Sequence, residues 1–271
     1  MKRKSLIVVK KAKNKIAIIT DPKTKKIYKN FKEKLLKTVK EDKFVMAVSG
    51  GSDSMSLAYL GKKYSSEFNT QIHVLIVDHN LRKESGKEAL KVKSILKKNS
   101  IQSKILTWKG KIPKSNVQQN ARRIRYSLIS KYCVKHKIRY LLTAHHVDDQ
   151  IENFFIRLLR GSGLTGLSSM PESFNYSNNL KILRPLLEYK KKDLELISKK
   201  YFKNYIEDPS NYDEKYLRVR VRKYRTIFEN EGLDTSKIIK TINNLLSAHK
   251  ALSFYKNKAL YKHASFTSKN K

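Results

Sequence analysis

Residues Ser49 to Ser54 read S-G-G-S-D-S and directly follow the apolar run Phe44-Val45-Met46-Ala47-Val48. Adjacent glycines let the backbone approach a polyanion and take positive φ, so that successive N–H groups converge on one oxygen. The residues that follow, Met55-Ser56-Leu57-Ala58-Tyr59-Leu60, have helical apolar spacing. The loop therefore opens a helix, whose N-terminus adds unpaired donors and a positive dipole end at the same place. Asp53 supplies one carboxylate, suited to a metal ligand. Gly-Gly-Ser-Asp alone is also ordinary turn chemistry. The strand before it and the helix after it favour a phosphate cradle.

From Phe44 onward, β-type runs alternate with helical periodicity. Runs at Phe44–Val48, Ile72–Val77, Ile105–Trp108 and Ile138–Thr143 are separated by helical stretches at Met55–Tyr64, Glu84–Lys98, Asn116–His136 and Asp148–Arg160. This pattern predicts an α/β fold, a Rossmann-like doubly wound parallel sheet with helices on both faces. Ligands in such sheets bind beyond the carboxyl ends of the strands. S-G-G-S-D-S, Val77-Asp78-His79 and Ala144-His145-His146 all fall at such ends and should converge on one rim.

The expected domain plan is an N-terminal extension over residues 1–40, a catalytic domain over 41–215, and a basic helical C-terminal segment over 216–271. Within the extension, Leu6–Val9 and Ile16–Thr20 read as a hairpin whose second strand ends at Asp21-Pro22, with Ile27–Lys40 helical. Beyond Tyr176, Ser177-Asn178-Asn179 reads as a loop, Ile182–Leu187 as a short apolar run and Lys191–Phe202 as a helix. From Ser236 the tail is lysine-rich with helical apolar spacing.

Composition narrows the partners. Among 271 residues, 60 Lys plus Arg face 23 Asp plus Glu, a net charge of +37. Such a surplus is the electrostatic footprint of a nucleic-acid partner; a plain solvated surface and a membrane-facing surface are the alternatives. Cys133 is the one cysteine, which excludes internal disulfides and cysteine-only metal or iron–sulfur sites in this sequence. No apolar run approaches transmembrane length and the N-terminal apolar stretch is too short for a secretory signal, so the expectation is a cytoplasmic protein with no membrane partner.

Five of the nine glycines lie in two loops, Gly50 and Gly51 in the first and Gly161, Gly163 and Gly166 in the second. The second, R-G-S-G-L-T-G-L, begins at Arg160 and reads either as a plain turn or as a loop able to close over a substrate. Between them lies H-H-V-D-D-Q-I-E-N from His145. If Asp148 starts a helix, Asp149, Glu152 and Asn153 share a face. That acidic face reads either as the acid enrichment that the dipole favours in a first turn or as a place for a cation or a substrate ammonium. His145 and His146 lack a third or fourth ligand at zinc-site spacing. Two arginine clusters complete the set, Arg122, Arg123 and Arg125 before Tyr126, and Arg218, Arg220, Arg222 and Arg225 around Val219 and Val221. Both clusters read either as solvated helix faces or, since arginine rather than lysine is used in a lysine-rich chain, as bidentate phosphate recognition.

Taken in order, these blocks resemble the N-type ATP pyrophosphatase (PP-loop) superfamily, whose signature is S-G-G-x-D-S, and within it the tRNA(Ile)-lysidine synthetase family. The likeness rests on S-G-G-S-D-S-M at Ser49–Met55, V-D-H-N-L-R-K-E-S at Val77–Ser85 and A-R-R-I-R-Y at Ala121–Tyr126. It continues through H-H-V-D-D-Q-I-E-N, R-G-S-G-L-T-G-L-S-S-M at Arg160–Met170, L-R-P-L-L at Leu183–Leu187, and D-P-S-N-Y-D at Asp208–Asp213 followed by R-V-R-V-R. It covers roughly residues 44 to 225.

The resemblance implies an ATP-dependent ligase. ATP would adenylate O2 of the wobble cytidine in a CAU-anticodon tRNA(Ile), releasing pyrophosphate. The ε-amine of L-lysine would then attack C2 and expel AMP. Ser49, Gly50, Gly51, Ser52 and Ser54 would hold the pyrophosphate, and Asp53 would hold Mg2+. Val77, Asp78, His79 and Arg122 would border the nucleotide. His145 and Asp149 would assist adenylation with Asp53; Asp149 and Glu152 would hold the lysine. Arg125, Arg160, Arg218, Arg220 and Arg222 would contact substrate. A homodimer is compatible with this reading. Three departures stand out: Val219 where the family has asparagine, Asn153 where it has threonine, and an end at Lys271 without larger C-terminal domains. Either the basic surface compensates for those domains or tRNA discrimination is reduced. A PP-loop tRNA thiolase is the nearest rival, but a single cysteine does not suit sulfur transfer. An amidotransferase-type synthetase has no need of such charge. A non-enzymatic RNA-binding module leaves Asp53 and the acidic face without a purpose.

Overall fold

The computed structural model describes residues 19–81, 84–110, 117–168, 170–206 and 212–264. The hairpin expected over Leu6–Val9 and Ile16–Thr20 lies outside these residues except for Ile19 and Thr20, as do Asp208 to Asn211 and the last seven residues.

The order of elements is α1 (Pro22–Thr38), β1 (Phe44–Ala47), α2 (Ser52–Phe68), β2 (Ile72–Asp78), α3 (Ser85–Lys98), β3 (Ser103–Thr107), α4 (Val117–Lys135), β4 (Tyr140–Leu142) and α5 (Val147–Leu159), then α6 (Leu164–Leu167), β5 (Ser173–Ser177), β6 (Leu180–Leu183), α7 (Lys191–Phe202), α8 (Leu217–Asn230) and α9 (Thr235–His263). Six strands form one sheet in the order β3-β2-β1-β4-β6-β5. The first five in that order run parallel, and β5 pairs antiparallel with β6 at the edge.

Side-chain alternation along the strands divides the core into two layers. Phe44, Met46, Val74, Ile76, Leu142 and Leu183 face α1, α2, α3 and α7. Val45, Leu75, Leu141, Leu180 and Ile182 face Tyr126, Ile129 and Cys133 of α4. Cys133 is 1% exposed, and burial pushes its thiol up to about 12. A third, smaller cluster joins Val147 and Ile151 of α5 to Ile238 and Ile242 of α9. No helix among the described residues is long and apolar enough to cross a membrane.

Two local readings change. Asp21-Pro22 starts a helix rather than ending a strand: Asp21 Oδ1 accepts the Thr24 N–H at 2.7 Å and Pro22 occupies the first helical position. Helix α1 thus begins five residues before its expected start at Ile27. It buries Ile27, Tyr28, Phe31 and Leu35 against the same core as α2. Strand β5 carried no apolar alternation, because Asn175, Tyr176 and Ser177 are exposed and Phe174 is the large apolar residue packed inward. Its pairing with β6 defines it, and Ser177-Asn178-Asn179 makes the connection.

The chain passes from β1 to β2 on one side and later places β4 on the other side of β1. That reversal opens a crevice at the carboxyl ends of β1 and β4, the expected ligand position in an open α/β sheet. The core role of α1 is testable. Phe31 is fully buried, so Phe31→Ala should lower unfolding free energy by about 3–5 kcal/mol in urea melts. A loss below about 1 kcal/mol would show α1 to be only loosely attached to the core.

Candidate active site

The loop after β1 is held in shape from within. Gly50 has φ +99°, and a Cβ there would lie 2.4 Å from Val92 Cγ2, so glycine is required on both counts. Its carbonyl accepts the Ile206 N–H at 2.9 Å, which pins the stretch after α7 beside the loop. Ser54 Oγ accepts the N–H groups of Ser49 and Gly50, each at 3.1 Å, and donates to the Gly51 carbonyl at 3.0 Å. Ser54 is therefore an internal brace of the cradle. Gly51 caps α2, and Ser52 and Asp53 occupy its first turn. The N–H groups of that turn have no partners within the helix and are available to an anion.

At the end of β4, His146 rather than His145 is the hub. It is 5% exposed and caps α5. Its Nε2 lies 3.4 Å from Asp53 Oδ2 and 3.5 Å from Asp149 Oδ2; its Nδ1 lies 3.7 Å from Asp148 Oδ2. Asp149 Oδ2 also accepts the His146 N–H at 3.1 Å. Burial acts to lower the His146 pKa, but Asp53, Asp149 and Asp148 outweigh it and raise the value above the ordinary histidine range. Burial likewise works against ionised Asp149, yet His146 and Arg218 hold it below the usual carboxylate range. Asp53 and Asp149 thus share one buried nitrogen at the α5 N-terminus, beside the loop after β1.

His145 has a different environment. Thr143 Oγ1 lies 2.9 Å from its Nδ1. Burial pushes its pKa down to about 4, opposed by Asp149 and reinforced by Arg184, Arg122 and Arg218. It is a neutral imidazole at physiological pH. His79, after β2, is also neutral: burial and then the Arg125 charge push it down to about 4, against Asp78. Arg125 Nη2 lies 3.5 Å from His79 Nε2. Asp78 Oδ1 accepts the Asn80 N–H at 2.9 Å and shapes the turn leaving β2, while Val77 pairs with Leu106 of β3.

The acidic face of α5 meets the arginine face of α8. Glu152 Oε1 lies 2.6 Å from Arg222 Nε and its Oε2 lies 2.8 Å from Arg218 Nε; the Glu152 side chain is 4% exposed. Arg218 Nη2 approaches Asp149 Oδ1 at 3.7 Å. Arg225 Nη1 donates to Asp148 Oδ1 at 2.5 Å, and Asp148 Oδ2 accepts the Lys191 N–H at 2.9 Å. Positions 218, 222 and 225 lie on one helical face. Arg220 points elsewhere, donating to the carbonyls of Glu214 at 2.7 Å and Lys215 at 3.1 Å. Val219, at the position expected to hold asparagine, is buried on α8.

The second glycine loop begins where α5 ends. Gly161 has φ +68°, the left-handed conformation that terminates helices. Arg160 caps α5 with an exposed side chain, whereas Arg157 donates to the Gly166 carbonyl. Sequence reasoning passed over His146, Asp148 and Arg225 as partners. A histidine at a strand end, just before a helix with an acid three residues on, was the available signal for His146. For the α5–α8 pairs, matching helical spacing of acids and arginines was available; their register was not.

A family model described as a PP-loop domain matches residues 22–228. A tRNA(Ile)-lysidine synthase from Orientia tsutsugamushi (strain Boryong) is 46% identical over 180 residues, 66% of this chain and 40% of that protein. Another, from Wolbachia pipientis wMel, is 40% identical over 212 residues, 78% of this chain and 49% of that protein. The chain thus spans about half the length, or less, of these curated relatives. Among solved structures, a U34-tRNA thiolase from Methanococcus maripaludis with its [4Fe-4S] cluster superposes with a TM-score of 0.68, covering 83% of this chain and 79% of that one. At 20% identity that likeness concerns the fold.

The Asp148–Arg225 pair gives a pH dependence with a defined sign. Although burial opposes it, the Lys191 N–H and Arg225 hold the Asp148 pKa below its ordinary 3.8. An acid whose folded pKa is depressed stabilises the fold fully above the unfolded value, and that contribution disappears as pH falls through the folded value. Asp148→Asn should therefore cost about 1–3 kcal/mol at neutral pH and lessen the loss of stability below pH 3.8 in denaturant melts. An unchanged acid limb of the stability curve would contradict the assignment.

Proposed function

Because the chain belongs to the PP-loop family, we propose that it carries out the reaction of the tRNA(Ile)-lysidine synthases to which it is similar. In this reading the substrates are ATP, L-lysine and a CAU-anticodon tRNA(Ile), and the site lies in the crevice between β1 and β4. The observation that carries the reading is the convergence of the phosphate cradle, Asp53, Asp149 and neutral His145 at that crevice, in a chain of net charge +37.

Ser49, Gly50, Gly51 and Ser52, braced by Ser54, would receive the β- and γ-phosphates at the α2 N-terminus. Asp53, with Asp149 close by, would hold Mg2+, which when bound offsets charge developing on the phosphate oxygens. His146 would hold the two carboxylates near each other. In the first step the cytosine O2 forms a bond to the α-phosphorus while the bond to the β-phosphate oxygen breaks and pyrophosphate leaves. Arg122 and Arg125 would orient the nucleotide or the cytosine, and Val77, Asp78 and His79 would border the nucleotide on the β2 side. His145, held neutral with its Nδ1 against Thr143, would contact the reacting groups without adding positive charge near the α-phosphate.

In the second step the lysine ε-amine, deprotonated, bonds to C2 and AMP departs with the O2 oxygen. Asp149 and Glu152 would hold the lysine. Glu152 already holds two guanidinium groups, so its surroundings accept cations. The Arg218–Asp149 contact, at 3.7 Å, is the longest of the α5–α8 contacts, and the Arg218 side chain is 45% exposed. It is the contact most easily exchanged for an ammonium. Arg160, exposed at the end of α5, and Arg220, held by the Glu214 and Lys215 carbonyls, would be the arginines left for RNA contact, since Arg222 is committed to Glu152. Sulfur transfer suits the site less well, because Cys133 is buried in the core and its thiol is pushed up to about 12.

The test incubates the protein with ATP, Mg2+, labelled lysine and CAU-anticodon tRNA(Ile). Label should appear in the wobble nucleotide with one pyrophosphate released per lysine. Absence of label, with pyrophosphate release no faster than without tRNA, would refute the reading. Asp53→Ala should lower tRNA-dependent pyrophosphate release at least about a hundredfold. Its tRNA Kd should stay within about threefold of the parent value, which filter binding would check.

A further inference from the structure

Three arginines near the crevice differ from those of α8. Among the described residues, Arg122, Arg125 and Arg184 form no ion pair with a carboxylate. Arg184 carries the sharpest case, since it is 4% exposed. It directly follows β6, beside the Leu183 carbonyl that accepts the Thr143 N–H at 2.9 Å, and Thr143 in turn contacts His145. Its Nη1 donates to the Pro171 carbonyl at 2.6 Å and its guanidinium lies 4.7 Å from the Phe174 ring centre. Its Nε is buried and has no hydrogen-bond partner among the described residues. Arg122 lies over the Tyr126 ring at 5.1 Å, and Tyr126 stacks on Tyr176. The Arg122 and Asp149 charges both reach Arg184, one repelling and one attracting. Asp149, however, is already shared between His146 and Arg218.

A buried guanidinium without a counter-ion is costly, and the unused Nε–H adds a second penalty. Holding the Pro171 carbonyl and stacking on Phe174 would not by themselves demand a permanent charge. On α8 the same residue type is matched carboxylate by carboxylate. With Nη1 on the Pro171 carbonyl, Nε and Nη2 remain as the two-pronged edge of the guanidinium, the edge that binds a phosphate through two parallel hydrogen bonds. Strand β6 is two strands from β1, roughly 10 Å across the sheet, so this place is separate from the cradle at Ser49–Ser54.

We propose that Arg184, with Arg122 beside it, forms a second phosphate-binding subsite on the β6 side of the crevice. Its ligand is a phosphate group of the nucleotide or of the RNA backbone. Which of these it is rests on the reaction proposed above; the presence of the subsite does not.

The experiment follows inorganic phosphate, ATP without RNA, and tRNA(Ile) without ATP, each binding to the full chain. Phosphate also enters the first cradle, so the quantity read is the difference between the parent protein and Arg184→Lys, which keeps the charge and loses the fork. That variant should weaken phosphate binding about tenfold or more. A matching loss for ATP alone identifies the nucleotide as the source, and a matching loss for tRNA alone identifies the RNA backbone. Affinities for all three within about twofold of the parent, with only a lower melting temperature, would overturn the proposal and leave Arg184 a packing residue. If Arg184→Lys shows no cooperative melt, Arg122→Gln at the exposed end of the cluster takes its place, and unchanged phosphate affinity there overturns the proposal. A parent protein that transfers no lysine but loses phosphate affinity on Arg184→Lys would refute the reaction and leave the subsite standing.

Discussion

A buried imidazole between carboxylates from two strand ends is the contact on which the site depends. His146 caps α5, reaches Asp53 of the loop after β1, and lies against Asp149 one turn into its own helix. The parallel pairing of β1 with β4 makes this contact possible, by bringing two loops about ninety residues apart in sequence to one edge of the sheet. The ring neutralises part of the acid charge that would otherwise repel across the crevice. It also ties the Asp53 and Asp149 carboxylates to one nitrogen.

Charge is distributed in two distinct ways around that centre. On the α5 side, each of three acids has a guanidinium from α8, and Glu152 has two. Removing either member of such a pair leaves an uncompensated group in a poorly solvated place, so the pairs lock the register of α8 against α5 more than they add net stability. On the β6 side, Arg184 lacks such a partner among the described residues, and Arg122 and Arg125 share that condition. Paired arginines hold the architecture together. Unpaired arginines leave positive potential where a polyanionic substrate would approach, and a net charge of +37 would steer it there.

Much of this was legible in the sequence because it depends on neighbouring residues. The Gly50-Gly51 turn, the four parallel strands from Phe44 to Thr143 and the helix Lys191–Phe202 follow from local periodicity and turn chemistry. Where local signals were ambiguous, the reading changed. Asp21-Pro22 suits a strand end and a helix start equally well, and burial of Phe31 and Leu35 in the core decided between them. Strand β5 has almost no apolar pattern of its own and exists through its hydrogen bonds to β6. Emphasis on His145 passed over His146 because two adjacent histidines point in different directions at a helix cap, and sequence alone does not say which points inward.

By itself, then, the sequence determined the α/β layering, the glycine loop with Asp53 at a helix N-terminus, and the surplus of positive charge. These are properties of residues within one or two turns of each other, or of composition. Only the tertiary structure decided which acids and arginines are matched. Arg222 and Glu152 are seventy residues apart, and Arg184 meets its surroundings through a strand order that no local pattern encodes. A side chain's charge is written in the chain, but whether that charge is already answered depends on what folding brings within a few ångströms of it.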